Sequence, residues 1–152
     1  MRPDTPPAGR DMSRWLGDGG MPLLAALGAS FTDYGTEGRL GWVAGEWRPA
    51  ASCANPHGIV QGGLHAVVHD AAMNFALNAG LPAGSHTRAT LSLHLELLRH
   101  ARPGEVLELV GEAVRVARQV AWAEARVMGA VAGALVSRST ATFLLEVATN
   151  TT

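Results

Sequence analysis

The chain has 152 residues, a formal net charge of -1 and a mean hydropathy of +0.12. All of its basic residues are arginine, and the near balance of charge excludes the basic footprint of a nucleic-acid binder. A single cysteine, Cys53, excludes an intramolecular disulfide, and no run approaches the roughly 18 apolar residues that cross a bilayer. A chain of this length fits one domain, which buries about 68–70% of its unfolded surface and so supports a core of its own. With no apolar signal stretch near Met1, the expectation is a soluble cytoplasmic protein with no membrane or nucleic-acid partner.

In chain order, residues 1–20, with Pro3, Pro6, Pro7 and Gly9, read as a flexible N-terminal arm. Residues 21–147 read as a single domain and 148–152 as a polar tail. Pro22 to Leu27 has helical composition and ends at Gly28. Ala29–Tyr34 and Arg39–Trp47 read as strands around a Gly35-Thr36-Glu37-Gly38 turn. Arg48 to Val60 has no periodicity and contains Pro49, Pro56 and Gly58. It is a loop of about a dozen residues, long enough to suspect function.

The period then changes. Leu64, Val67, Val68, Ala71, Ala72, Phe75 and Ala76 follow helical spacing, and Met73 and Leu77 lie off that stripe, so the predicted helix is enclosed rather than superficial. Gly80 and Pro82 end it. From Ala89 the period is two: Leu91, Leu93, Leu95 and Leu97 alternate with Thr90, Ser92, His94 and Glu96. Three more strands are predicted at Glu105–Val116, Gln119–Met128 and Leu135–Val147, joined by turns too short for crossover helices. The architecture expected is α+β, an antiparallel sheet of about five to six strands around one long central helix.

The candidate site is the run Asn55-Pro56-His57-Gly58-Ile59-Val60-Gln61-Gly62-Gly63 and the helix that follows it. The first N–H groups of a helix have no internal partner and carry the positive end of its dipole. Glycine there admits a ligand to the backbone, where a carbonyl oxygen is polarised and an oxyanion stabilised. Asp70 is the only acidic residue between Glu46 and Glu96, and it falls inside an apolar helix. It lies two turns beyond Gly63, about 10 Å along the axis. One helix therefore does not bring both groups to one ligand unless the ligand lies alongside or a second subunit contributes.

Asn55, Pro56, Gly58, Gly62, Gly63 and Asp70, followed by the alternating strand, resemble the PaaI-like branch of the hotdog-fold acyl-CoA thioesterases. That branch reads Asn-Pro-x-Gly-x-x-His-Gly-Gly, then seven residues to a catalytic acid. The resemblance implies a hotdog fold over roughly 21–147 and hydrolysis of acyl-CoA to free acid and coenzyme A. It implies Asp70 as general base or nucleophile, and the Gly62 N–H polarising the thioester carbonyl. Asn55 would help hold the water or the carbonyl. Thr90 matches the hydroxyl residue that positions water from the neighbouring subunit, with Ser92 as the fallback on the same strand face. The family histidine is Gln61 here, which hydrogen-bonds but takes up no proton. Arg99 and Arg118 fall near positions where the family carries basic residues; with Arg88 and Arg102 they are candidates for the coenzyme A phosphates. No cofactor is implied, because coenzyme A is part of the substrate. The assembly implied is a homodimer or a dimer of dimers.

Other readings compete with this one. His65 and His69 share a helix face next to Asp70, and with His57 or His94 they suggest a metal-dependent hydrolase. Gln61 at the histidine position suggests an acyl-CoA or aromatic-ligand binding protein without turnover. Cys53 has no assignable base and reads as an inert thiol. Trp15, Trp42, Trp47 and Trp122 read as core or interface. The fold also admits a dehydratase, but no His/Asp arrangement of that type is present.

Overall fold

The structure, a computed structural model, describes residues 9–148. A 3-10 turn at Ser13–Trp15 leads to helix α1 (Pro22–Leu27). Strands β1 (Ala29–Glu37) and β2 (Leu40–Trp47) follow, then a 3-10 turn at Ala51–Cys53 and the long helix α2 (Gly62–Gly80). Four strands complete the chain: β3 (His86–Leu97), β4 (Leu107–Val116), β5 (Val120–Gly129) and β6 (Leu135–Glu146). The six strands form one sheet in the order β1-β2-β4-β5-β6-β3, with every neighbouring pair antiparallel. The predicted element order holds throughout, with boundaries moved by a few residues.

The sheet wraps α2, and small residues set how closely. A Cβ on Gly41 of β2 would fall 1.9 Å from the Ala76 carbonyl oxygen and 2.7 Å from the Gly80 nitrogen. One on Gly111 of β4 would fall 2.6 Å from the Ala72 oxygen. Glycines on the strands and Ala72, Ala76, Ala79 and Gly80 on the helix thus let backbone meet backbone. Eleven of the helix's 19 residues are buried, so it is enclosed as its apolar residues on several sides predict. Inward residues of the central strands complete the core: Val43 and Trp47 on β2, Leu107 and Leu109 on β4, Val127 on β5, Phe143 on β6. The Trp47 indole N–H donates to the Leu27 carbonyl at 3.0 Å, which keeps its one polar atom satisfied.

Three local expectations change. The first hairpin turns at Gly38-Arg39, not over Gly35–Gly38, because Gly35 stays in β1 opposite Trp42, whose indole fills the space a side chain would take. Strand β3 carries bulges between Thr87 and Ala89 and between Thr90 and Ser92, which break the strict alternation read along it. The span read as an arm lies on the domain from Gly9 onward. Arg10 N–H donates to the Ala79 carbonyl, Met12 is buried beneath the Tyr34 hydroxyl that bonds its N–H, and Gly17 bridges to Phe31. Residues 1–8 and 149–152 lie outside the described residues, as does nearly all of the span read as a tail.

Gly41→Ala forces a methyl group into the α2 backbone. It is expected to cost about 2–3 kcal/mol in urea unfolding, and an unchanged midpoint would contradict backbone-to-backbone packing of β2 on the helix.

Candidate active site

Five polar side chains lie on α2, and each finds a partner. On the face toward β3, Asp70, Asn74 and Asn78 are spaced four apart, so they stack along one side. Thr90 Oγ1 donates to Asp70 Oδ1 at 2.7 Å, and Asn74 Nδ2 reaches Asp70 Oδ2 at 3.4 Å. Asn78 is bonded to Thr87 twice, its Nδ2 to Thr87 Oγ1 at 2.9 Å and its Oδ1 from the Thr87 N–H at 3.0 Å. That pair pins the start of β3 to the helix. The second bulge then turns Thr90 inward with Leu93, Leu95 and Leu97, while Ser92, His94 and Glu96 pair outward with Thr142, Thr140 and Arg138. Thr90 therefore meets Asp70, and the fallback Ser92 is on the opposite face. Thr90 also meets the Asp70 of its own chain, which corrects the expectation that it comes from the neighbouring subunit. Asp70 is half-buried and Thr90 exposed, so the carboxylate is held but open to solvent.

On the face toward β6, His65 and His69 meet serines. His65 Nδ1 lies 2.9 Å from Ser137 Oγ, and His69 bridges Ser139 Oγ at 2.6 Å and Ser137 Oγ at 2.7 Å. Burial pushes His65 down to about 4; burial, then the charge of His65, pushes His69 down to about 3. Both rings are therefore neutral near pH 7. Among the described residues no group of three or more His, Cys, Asp or Glu side chains is placed to hold a metal. The cluster proposed from His65, His69 and Asp70 is split between two strands, His57 is exposed on the loop, and His94 faces outward 3.8 Å from Glu96. The Cys53 thiol is buried 3.7 Å from the Leu27 carbonyl, and burial raises its pKa, which suits an inert thiol.

The amide end of the site is built by the loop. Asn55 Oδ1 accepts from the His57 N–H at 3.0 Å and the Ile59 N–H at 3.4 Å, and the Asn55 N–H donates to the Ile59 carbonyl. Gly58, with φ +78°, closes this turn. The Asn55 oxygen is thus occupied in shaping the loop, and its Nδ2 has no partner among the described residues. Gln61 occupies the N-cap of α2 but makes no side-chain cap, and the Gly62 and Gly63 amides donate to nothing among the described residues. Gly62 lines a recess of about 490 Å³ whose walls also include Asn55, His65, Leu97 and Arg99.

The arginines are not gathered. Arg99 borders the recess but is held by Glu105 at 2.6 Å, and that contact lowers the Glu105 carboxyl. Arg102 is exposed nearby, Arg88 is exposed at the first bulge of β3, and Arg118 lies on the β4–β5 turn. Sequence reasoning missed Asn74, Asn78, Ser137 and Ser139. The first two were signalled by their four-residue spacing from Asp70. The serines were signalled by two hydroxyls two apart on one strand face.

Solved structures of this fold carry thioesterase names. A putative thioesterase described as phenylacetic acid degradation-related, from Ralstonia eutropha JMP134, is 27% identical. The match covers 89% of this chain and 99% of that one, with a TM-score of 0.74. The PaaI protein of the E. coli phenylacetic acid degradation operon is 17% identical over 86% and 88% of the two chains, with a TM-score of 0.70. Zebra fish thioesterase superfamily member 2 is 18% identical over 78% and 82%, with a TM-score of 0.69. No protein-family model and no curated protein matches the chain. The fold is the hotdog fold, and the resemblance to PaaI-like hotdog thioesterases is borne out by these structures.

The buried imidazoles couple stability to pH. Their folded pKa values lie below the ordinary value near 6.5, so the unfolded chain binds more protons as pH falls, and stability is lost from about pH 6.5 down toward 3. Each pKa unit corresponds to about 1.4 kcal/mol, so urea unfolding should show a loss of several kcal/mol across that window. A His65→Leu/His69→Leu double variant should show a flatter pH dependence.

Proposed function

We propose that the protein hydrolyses acyl-CoA thioesters at a site shared by two subunits, with Asp70 as general base or nucleophile and the Gly62 amide as the oxyanion donor. The observation that carries this reading is the Asp70 carboxylate, gripped by Thr90 on an edge strand, on the same helix as the uncapped glycine amides at its start. Hydrolysis needs an activated water, a donor aimed at the developing oxyanion and no strong general acid, because a thiolate leaves readily. Asp70 and Thr90 hold the water, or Asp70 itself attacks; Gly62 N–H, aided by the free Asn55 Nδ2, takes the carbonyl oxygen. Gln61 at the usual histidine position has no acid–base part.

Along α2 the Gly62 amide and Asp70 are about 12 Å apart, too far for one carbonyl. The edge strand supplies a remedy. β3 pairs only with β6 on one side, is 12 residues long, and exposes Leu91 at 54% and Leu97 at 51%. A long apolar edge is a template for another strand. At one end of it Thr90 touches Asp70; at the other Leu97 Cδ1 lies 2.8 Å from where a Cβ would sit on Gly62. Antiparallel pairing of β3 with a second copy, about a two-fold axis at His94, keeps inward residues opposite inward ones and, with the bulge at Leu91 absorbing one residue, sets Thr90 opposite the partner's Leu97. That brings Asp70 to the partner's Gly62, and the symmetry makes two such sites. It also brings Arg88 toward the partner's recess, where it joins Arg99 and Arg102 as a candidate for the phosphates.

Asp70→Asn should lower thioester hydrolysis by a factor of about 10³ or more, and Thr90→Val by about 10- to 100-fold, with unfolding midpoints close to wild type. Thiol release from a panel of short, long and aromatic acyl-CoAs measures both. Near wild-type turnover in Asp70→Asn would remove the base, and ligand-dependent thermal stabilisation without thiol release would mark a binding protein instead.

A further inference from the structure

Behind the recess runs a buried polar chain that the proposed hydrolysis leaves unused. His65, Ser137, His69 and Ser139 are all buried, and they link in that order at 2.9, 2.7 and 2.6 Å. Ser139 Oγ donates in turn to Met73 Sδ at 3.8 Å. A thioether only accepts, so with its proton on Met73 the Ser139 oxygen takes the Nδ1–H of His69. Burial keeps both rings neutral, so each imidazole carries one proton. His69 Nε2 then accepts from the Ser137 hydroxyl, and the Ser137 oxygen accepts from His65 Nδ1–H. With the Ser139 proton assigned to Met73, the donors run in one direction and leave His65 Nε2 with a bare lone pair.

That nitrogen has no protein partner among the described residues, and His65 is a wall of the recess that holds the Gly62 amide. His65 lies one turn beyond Gln61, on the same side of the helix. An imidazole missing at one position thus returns at the next turn, held by β6 in a single tautomer. A thioester carbonyl seated on the Gly62 amide leaves its thiol arm to run through the same recess toward Arg99. The thioester group has no donor of its own. The first donor on a pantetheine arm is the amide N–H nearest the sulfur.

We infer that His65 Nε2 accepts a hydrogen bond from that amide N–H, and so selects pantetheine thioesters over simple alkyl thioesters. The inference rests on the reading of the recess as the thioester site. It makes His65 a specificity residue that touches substrate, and Ser137, His69 and Ser139 positioning residues that act through it.

The test uses two thioesters of one acyl group: the N-acetylcysteamine ester, which keeps the amide, and the n-butyl ester, which lacks it. Wild-type protein should favour the first in kcat/KM by about tenfold, the value of one hydrogen bond. His65→Leu should bring the ratio to about one, and Ser137→Ala, which frees the tautomer with a smaller change to the core, should lower it. Equal rates for the two esters in wild type, or a preference that survives in His65→Leu, overturns the inference. If neither ester is hydrolysed, the hydrolysis reading fails by itself, and ¹⁵N NMR of the imidazoles decides for His65. An Nδ1–H tautomer at His65 whose Nε2 resonance moves with added S-ethyl-coenzyme A supports the contact. An Nε2–H tautomer or an unmoved resonance overturns it.

Discussion

One helix enclosed by one sheet at backbone distance is the constraint from which the rest follows. Gly41, Gly80, Gly111 and Ala72 bring α2 so close to β2 and β4 that neither water nor a long side chain fits between them. A polar group on such a helix must find its partner on a strand or, as Asn74 does with Asp70, on the helix itself, because an unpaired buried donor or acceptor costs about 1–3 kcal/mol. The helix turns this into order. Asp70, Asn74 and Asn78 face the threonines of β3, and His65 and His69 face the serines of β6. Each strand is thereby fixed in register by side chains as well as by its ladder.

The same constraint divides the chemistry. The helix presents its uncapped amides at one end and its carboxylate two turns on, and it cannot bend to join them. The strand that holds the carboxylate is also one of the two edges of the sheet, so the element that positions Asp70 is available to a second copy. On the proposed reading, catalytic geometry and assembly are one problem, met by the register of β3 against itself.

Much of this was legible in the sequence. The change of period at residue 64 marked the helix, its apolar residues on several sides marked its enclosure, and Asn55 to Asp70 marked the resemblance to hotdog-fold thioesterases. The Thr90 contact was legible only in part. The residue was named, but the alternation from Ala89 to Leu97 is so regular that it hides the bulge at Leu91, which no glycine or proline announces. That bulge puts Thr90 on the helix side in phase with Leu93, a tertiary demand with no local signal. For the same reason Ser92 appeared equivalent to Thr90 and is not. A metal site at His65 and His69 stood as an alternative because their spacing suits one. The serines that occupy their nitrogens lie about 70 residues away in sequence, beyond the reach of any motif.

The central claim, that Asp70 of one subunit works with the Gly62 amide of another, is tested most directly by mixing two inactive chains. Asp70→Asn removes the carboxylate, and Gly62→Pro removes the amide at a first helical position that tolerates proline. A shared site gives every mixed dimer one intact carboxylate–amide pair, so an equimolar mixture refolded together should recover about a quarter of wild-type activity. A mixture as inactive as its two components would contradict the shared site, because each chain would then hold its whole site with one part missing.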